Sequence, residues 1–497
     1  MSFNSLEFLV FFLTAIICYR TIFESMRPWV LFAANVYFVA SFASSSVQLL
    51  PLGGLLLLGY AFIKNSHSAL GRRLLSVEIA VILFTFIYLK RYTFVGFLPY
   101  LQFPYLELGM SYMFFRIVHL IVDRTSGAIA EDIGLISYFN YVCFFPYLVS
   151  GPIQLWQDHF PQRSMKSLTE PLVSHSVSRM LTGYIKVFTV APILKLWHDA
   201  NAINWIHSFV PAEIQEIAFG SFAAMIQRAM TDQPYILTLW LVMASTIFLL
   251  YVYFNFSGYM DIIIGAGQLL GFKLPENFNH PFTAPNFIDF WNRWHITLSE
   301  WFKIYVFNPT LKVMMHHWDS PKLIPYLGCI TYFFTFLLLG IWHGRTLMYI
   351  VLGFLLGGGV SVNKLYQIQA VRILGRKRYK TLAANKTYIA VCRGLTFSYI
   401  SICLSCMWMS ARDFSNIFGS YFIPIVLCSC LLLTAFSAGI IQAQVVLDSW
   451  LARKQECFAS WTNTFLIRNG WLTLKLFVYT LIIIQSTQPQ KFLYEGF

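Results

Sequence analysis

The stretch Asn277–Pro309 reads NFNHPFTAPNFIDFWNRWHITLSEWFKIYVFNP, and the apolar run beyond it contains GIWHG at Gly340–Gly344. Apolar side chains in the first part recur at helical spacing and form one stripe: Phe287, Phe290, Trp291, Trp294, Leu298, Trp301, Phe302 and Tyr305. The opposite face is polar and charged. This pattern predicts an amphipathic helix over Phe287–Phe307 that lies at the membrane boundary rather than crossing the membrane.

The ends of this predicted helix are marked by turn-forming residues. Asn286 stands three residues before Asp289, an arrangement typical of a helix N-cap. Pro309 disfavours helical backbone at the residue before it, so the helix should end at Asn308. His295 falls on the border between the apolar stripe and the polar face. Two interpretations stay open: a side chain that faces a cavity, or a water-exposed histidine on a surface helix.

His343 lies in the middle of Leu323–Val362, a nearly unbroken apolar run long enough for two spans of ~20 residues. A histidine at membrane depth is costly and marks a functional site by default. With an ordinary pKa near neutrality, it is a natural general base. The alternative is that the run breaks into two antiparallel spans at Gly344, which would place His343 and Arg345 in the headgroup region.

The composition indicates an all-α polytopic membrane protein. Hydrophobic residues make up 57% of the 497 residues, aromatic residues 18% and charged residues 11%, and the mean hydropathy is +0.61. The net charge of +13 is carried by short segments between apolar runs, a distribution that does not indicate nucleic-acid binding. No basic region precedes the first apolar run, so we expect no cleavable signal peptide.

About 11–13 transmembrane helices are predicted, and we find no internal repeat typical of a transporter built from two halves. The predicted spans are Leu6–Phe23, Trp29–Ala43, Val47–Ile63, Leu75–Tyr88, Leu106–Ile121, Ile133–Val149, Met180–Trp197, Ile236–Tyr253, Leu323–Trp342, Leu347–Val362, Tyr388–Met409, Ile417–Ile440 and Trp471–Ile484. Two basic loops, Lys64–Arg73 and Val371–Lys380, should be cytoplasmic by the positive-inside rule. This orientation would place both termini outside.

Other polar and sulfur-bearing residues carry weaker signals. Arg116 and His119 lie on one side of a predicted helix, either as a lining of a pore or as a hydrogen-bonded core pair. Cys403 and Cys406 form a CxxC pattern, but inside an apolar span and without a second ligand pair. We therefore expect no metal site.

Long motifs in the same order resemble the membrane-bound O-acyltransferase (MBOAT) family, in particular its bacterial branch of alginate O-acetylases, peptidoglycan O-acetyltransferases and teichoic acid D-alanyl transferases. YFNYVCFFPYLVSGPIQLWQDHFPQ at Tyr138–Gln162 resembles the family's GPI segment. FNFSGYMDIIIGAGQLLGFKLPENFNHPF at Phe254–Phe282 resembles its SGYSD and PENF block. FWNRWHITLSEWFKIYVF at Phe290–Phe307 resembles its RWHISLS segment, GIWHG is nearly unaltered, and the closing FLYEGF is a looser echo of an aromatic tail.

The resemblance implies an MBOAT fold: transmembrane helices with interfacial or re-entrant helices around a central funnel. It implies one membrane-embedded domain over 1–497, with N-terminal helices at 6–130, a catalytic core at 131–365, and C-terminal helices with an extracytoplasmic tail at 366–497. His343 would be the catalytic histidine and His295 the second key histidine. The chain departs from the family pattern with Met260 in place of Ser, Ile304 in place of Asp, FNPTLK in place of IPLGG, and Leu356 in place of a second histidine.

The implied reaction is O-acyl transfer with no bound cofactor, from a cytoplasmic acyl thioester such as acetyl-CoA. Arg293 would bind the anionic donor, and Asn292 or Ser299 would orient substrate or stabilise the oxyanion. Trp342 and Asp261 complete the expected substrate-binding set. The expected partners are membrane lipids and an extracytoplasmic acyltransferase or glycan, at the bacterial cytoplasmic (inner) membrane.

Two other functions remain open on the sequence. One is a transporter or channel in which His295, His343, Arg116 and Asp261 line a permeation path, with Asp261 as an intramembrane carboxylate. The other is an acyltransferase that modifies a lipid or protein within the membrane.

Overall fold

A computed structural model describes residues 6–159, 168–199 and 234–411, with isolated residues between Leu431 and Val446. In these residues the backbone is helical almost throughout and forms no β-strand; an isolated bridge joins Phe278 and Trp294. The predicted all-α class is confirmed. The predicted span Trp471–Ile484 and the closing tail lie outside the described residues, as does most of the predicted span Ile417–Ile440.

The described α-helices are numbered here in chain order. They are α1 Leu6–Thr21, α2 Arg27–Ala40, α3 Leu50–Asn65, α4 Ala69–Leu89, α5 Met110–Ser126, α6 Leu135–Val142, α7 Trp156–His159, α8 Glu170–Ile185, α9 Pro234–Leu270, α10 Phe287–Trp291, α11 Ile296–Phe302, α12 Asn308–His317, α13 Ile324–His343, α14 Leu347–Ala383 and α15 Lys386–Leu404.

Six helical stretches of the described chain are long and apolar enough to cross a membrane: Ser46–Asn65, Glu170–Asp199, Leu241–Leu270, Ile324–His343, Leu347–Ala383 and Lys386–Met407. The protein is therefore a multi-span membrane protein. The larger total of about 11–13 crossings stays a prediction, because it includes shorter helices and segments beyond the described residues.

Backbone contacts divide the chain into two compact units. Within the described residues, the first comprises the chain up to Thr189 together with Asn255–Asn277, and the second comprises Val190–Phe254 and the part of Phe278–Gly470 that is described. In the first unit, α5 is buried on nearly all sides. The expectation of a single domain over the whole chain stays a prediction.

The antiparallel pair α13 and α14 forms the framework of the second unit. Glycines let the two backbones touch: a Cβ on Gly340 would lie 2.2 Å from the Cα of Gly353, and a Cβ on Gly353 would lie 2.5 Å from the carbonyl oxygen of Leu337. Further along, the Ser361 hydroxyl donates to the carbonyl oxygen of Cys329 at 2.7 Å. The break between the two helices lies at Gly344, where the sequence offered it as an alternative.

The predicted single helix over Phe287–Phe307 is wrong. The chain forms α10, turns at Asn292–His295, continues as α11, and then widens into a π-helical turn at Lys303–Phe307. The predicted end at Asn308 is also wrong, because Pro309 occupies the first turn of α12, where its missing N–H costs nothing. The predicted cap is confirmed, since the Asn286 side chain accepts from the Asp289 N–H at 2.9 Å.

Two other predicted segments differ in the structure. Ile133–Val149 is not a span, because α6 ends at Val142 and a 3-10 turn follows at Phe145–Tyr147. Val371–Lys380 is not a loop but part of α14, which is interrupted at Gly375 by a non-helical backbone with φ 74°. The Lys64–Arg73 loop is reduced to the short turn between α3 and α4.

Candidate functional site

His295 stands at a sharp corner of the backbone between α10 and α11. Its φ of 47° and ψ of 51° lie in the left-handed region, which residues other than glycine rarely adopt and which is found often at functional sites. Its carbonyl oxygen accepts from the N–H groups of Leu298 and Ser299, both at 3.1 Å, and so starts α11. The side chain is only 1% exposed. Of the two interpretations of His295, the water-exposed surface histidine is therefore excluded.

His343 is the last residue of α13 and is buried, with 7% of its surface exposed. Gly344 follows in an extended conformation, and a Cβ there would lie 2.2 Å from the Tyr349 ring. The Trp342 and His343 rings lie with centroids 4.8 Å apart. The second glycine of GIWHG thus allows the Tyr349 ring to pack directly against the backbone that follows His343.

His343 influences the protonation of His295. Burial holds the pKa of His295 well below its usual value, and the proximity of His343 lowers it further. Both imidazoles are buried in the second unit, although α11, α12 and most of α13 separate them in the chain. A neutral, buried imidazole is the form that accepts a proton, as a general base must.

Three helices hold α10 in place beside this pair. Asn363 of α14 accepts from the Ile288 N–H at 3.2 Å, and the Trp291 ring packs against Phe336 of α13 with centroids 5.0 Å apart. The Phe287 ring meets Tyr399 of α15 edge-on at 5.1 Å. These contacts fix the aromatic stripe inside the second unit, so most of it is core rather than a lipid-facing surface.

The polar residues before His295 have different surroundings. Asn292 is exposed. Arg293 pairs with Asp289 at 2.9 Å and donates to the Thr283 hydroxyl at 3.2 Å. The Arg293 guanidinium is therefore already bound by neighbouring side chains. Binding of the acyl donor by Arg293 stays a prediction.

Two buried donors close to the histidines have no hydrogen-bond partner among the described residues: the Ser299 hydroxyl and the Trp291 indole N–H. A buried polar group without a partner is costly, so such groups mark positions where a ligand or water completes the bonding. Ser299 was predicted. Trp291 was missed, because its place in the apolar stripe concealed the N–H that an indole carries into the interior.

Asp261 lies in the first unit, on the Asn255–Leu270 part of α9, while the two histidines lie in the second. Its carboxylate accepts from Arg179 at 3.1 Å and from Lys186 at 2.7 Å. Arg179 also forms a two-pronged pair with Glu276 at 2.7 and 2.6 Å. Asp261 is thus the centre of an ion cluster, as a half-buried carboxylate requires. Its predicted role in substrate binding remains a prediction.

Arg116 and His119 form part of the buried core of the first unit. Arg116 is fully buried, donates to the carbonyl oxygens of Val142 and Tyr147, and stacks 3.9 Å from the Tyr147 ring. His119 accepts from the Trp156 N–H at 2.9 Å. Of the two alternatives for Arg116 and His119, the structure supports hydrogen-bonded core residues. Their polar groups are thus explained without a pore.

Helices that span a membrane and a buried histidine pair define a membrane-embedded protein with acid–base capability. Residues 33–407 match the MBOAT, membrane-bound O-acyltransferase family. The chain belongs to this family, which classes it as an acyltransferase.

Curated relatives carry acyl-transfer names. The teichoic acid D-alanyltransferase of Bacillus subtilis is 28% identical over 62% of this chain and 70% of its own length. The Pseudomonas syringae protein named "Probable alginate O-acetylase AlgI" is 28% identical over 52% of this chain and 43% of its own length. The peptidoglycan O-acetyltransferase of Helicobacter pylori is 33% identical over 46% of this chain and 38% of its own length. The matched segment thus covers less than half of these two O-acetylating relatives.

Proposed function

We propose that this protein transfers an acyl group, most simply acetyl, from a cytoplasmic thioester to a hydroxyl group outside the membrane. The acceptor would be a polysaccharide, a cell-wall glycan or a partner protein that passes the group on, at the bacterial inner membrane. The observation that carries the proposal is the burial of His295 and His343 in the second unit, with His343 lowering the pKa of His295. The names of the relatives, each an acyl transfer to an extracytoplasmic polymer, support the acceptor class.

In the proposed reaction, His343 accepts the proton of the acceptor hydroxyl as its oxygen attacks the thioester carbonyl. A C–O bond forms, the C–S bond breaks, and the proton passes from His343 to the departing thiolate. The Ser299 hydroxyl and the Trp291 N–H, four residues after and before His295 and without a partner among the described residues, would bind the carbonyl oxygen as its negative charge grows. His295 stays neutral and orients the reacting groups.

The test uses purified full-length protein in proteoliposomes, with acetyl-CoA labelled in the acetyl group. Thiol release that depends on His343, with the label recovered in a glycan or protein acceptor, is the expected result. Uptake of a labelled solute without thiol release would overturn the proposal in favour of transport. Recovery of the label in the lipid fraction would replace the acceptor class with an intramembrane one.

The structure supports a transport function less than the sequence does. Asp261 was its best argument, and this carboxylate is already neutralised by Arg179 and Lys186. A permeating cation would have to displace both.

A further inference from the structure

The C-terminal part of α14, with the short link to α15, has an unbalanced charge. Residues 367–387, here named the basic arm, carry six Lys or Arg and no Asp or Glu. The imbalance extends beyond the arm, since the sequence holds no acidic residue between Asp319 and Asp413. The arm's six cations are Arg372, Arg376, Lys377, Arg378, Lys380 and Lys386; all are exposed, and none pairs with an acidic group among the described residues.

The shape of the arm follows from two observations. The hydroxyl groups of Tyr366 and Tyr388 are hydrogen-bonded at 2.8 Å, so the chain leaves and returns at one level. Gly375 breaks the helix with φ 74°, close to the middle of this excursion. Leu374 lies eight residues beyond Tyr366, so at 1.5 Å per residue the tip projects about 12 Å.

The tip itself is apolar. Ile373 is 78% exposed and Leu374 is 37% exposed, immediately before the Gly375 break. Exposed aliphatic side chains flanked by cations are the combination that binds a lipid surface: the apolar groups enter the boundary of the acyl chains while the cations meet the headgroups. An acidic protein partner would complement the positive charges of the arm, but it would not account for the exposure of Ile373 and Leu374.

The length of α14 puts the arm at the depth of the headgroups. From Leu347 to Leu374 the helix extends about 40 Å, which is close to the full thickness of a bilayer with its headgroup regions, about 40–45 Å. A helix that begins at one headgroup region therefore brings the arm into the other. The cations would then lie within reach of lipid phosphates.

We propose that the basic arm is an anionic-phospholipid binding element, in which Ile373 and Leu374 insert between headgroups while Arg376, Lys377 and Arg378 bind the lipid phosphates. This role is independent of the proposed acyl transfer. It predicts that anionic lipid orders the arm and that neutral lipid does not.

Hydrogen exchange of the full chain in nanodiscs tests the proposal. One set of discs contains phosphatidylcholine alone, and the other contains phosphatidylcholine mixed with phosphatidylglycerol. Amides of residues 367–387 should exchange more slowly in the anionic discs, and 1 M salt, with a screening length of about 3 Å, should remove the difference. Each cation strengthens partitioning onto an anionic surface roughly five-fold. Arg376→Gln/Arg378→Gln removes two cations and should therefore reduce the protection against exchange by on the order of 30-fold.

Two matched variants separate charge at the arm from other effects. Arg376→Lys/Arg378→Lys keeps both charges and should keep the protection. Lys303→Gln/Lys312→Gln removes two exposed charges elsewhere in the second unit and should keep it as well. Equal exchange in the two kinds of disc, or unchanged protection in Arg376→Gln/Arg378→Gln, would overturn the proposal. Protection that appears only when an acidic carrier protein is added would overturn it in favour of a protein partner.

Discussion

His343 lies near enough to His295 to lower its pKa, although the two histidines stand on different helices. His295 begins α11 from a left-handed corner, and His343 ends α13. This proximity relates two motifs that lie far apart in the sequence.

Replacing His343 by Ala should abolish acyl transfer while leaving the fold intact. Removal of a general base costs typically about 10² to 10⁴ in rate, whereas deletion of a buried polar side chain leaves little unsatisfied. Thiol release from the donor measures the rate, and size-exclusion chromatography with the apparent melting temperature monitors folding. Near-normal turnover of a correctly folded His343→Ala protein would make His343 structural.

His295 needs a different substitution, because its backbone is left-handed. Asn adopts left-handed backbone readily, whereas Ala in this conformation loses about 1–2 kcal/mol of stability. His295→Asn should therefore keep nearly the parental melting temperature and lose most activity, while His295→Ala should lose both. Equal activity of His295→Asn and the parent would remove His295 from the reaction.

The pH dependence of the parent protein follows from the same coupling. Since the pKa of His295 lies well below 6.5, the imidazole stays neutral until the pH falls well below that value. Protonation of His295 should thus contribute no acid limb to kcat/KM at or above pH 6.5. The free energy of unfolding also depends on this pKa. The unfolded chain takes up a proton near pH 6.5 and the folded chain does not, so stability declines as the pH falls below 6.5. An acid limb at or above pH 6.5 would contradict this assignment.

The ion cluster around Asp261 should contribute stability rather than transport. Asp261→Asn leaves Arg179 and Lys186 without their shared partner, and breaking such a buried pair costs on the order of 3 kcal/mol. Glu276→Gln is the matched control: this carboxylate is 57% exposed, and an exposed pair is worth about 0–1 kcal/mol. Apparent melting temperatures compare the two variants. A larger loss for Glu276→Gln would refute the central role of Asp261.

Gly344 should be intolerant of a side chain. Gly344→Ala places a Cβ 2.2 Å from the Tyr349 ring, and overpacking of this kind typically costs about 1–3 kcal/mol. Gly328→Ala, inside α13 and with no atom within 4 Å of the new Cβ, should be tolerated. The measurement is again the melting temperature, and equal behaviour of the two variants would contradict the packing of Tyr349 on Gly344.

The orientation of the chain remains to be tested by labelling. In a background without native cysteines, Ser68→Cys and Lys377→Cys should react with an impermeant thiol reagent only after the membrane is opened, because both lie in basic segments expected in the cytoplasm. Reaction of either position from the outside would refute this topology.

The sequence was sufficient for helix class, the Asn286 cap and the break between α13 and α14, since these depend on hydropathy, local capping and one glycine. It was insufficient for the left-handed corner at His295. The apolar stripe runs through Asn292–His295 at unbroken helical spacing, and only tertiary contacts, such as the Asn279 N–H bond to the Arg293 carbonyl at 2.9 Å, make the chain turn there. The buried Trp291 N–H was hidden for the same reason.

Departures from the family pattern became interpretable only with the fold. Met260 is buried, and its sulfur accepts from the Asn277 side chain at 3.5 Å. Ile304 lies 40% exposed in the π-helical turn. The position of Ile304 is not apparent from spacing, because a one-residue widening of a helix turn leaves the apolar pattern nearly unchanged.

The glycine contacts between α13 and α14 restrict how these two helices can move against each other. With Gly340 against Gly353 and Gly357 against the Phe333 carbonyl, a slide of one helix along the other by a single residue would drive side chains into backbone atoms. Sliding of α13 along α14 is therefore blocked, and His343 keeps a fixed position relative to the start of α14. The hairpin thus moves, if at all, as one unit.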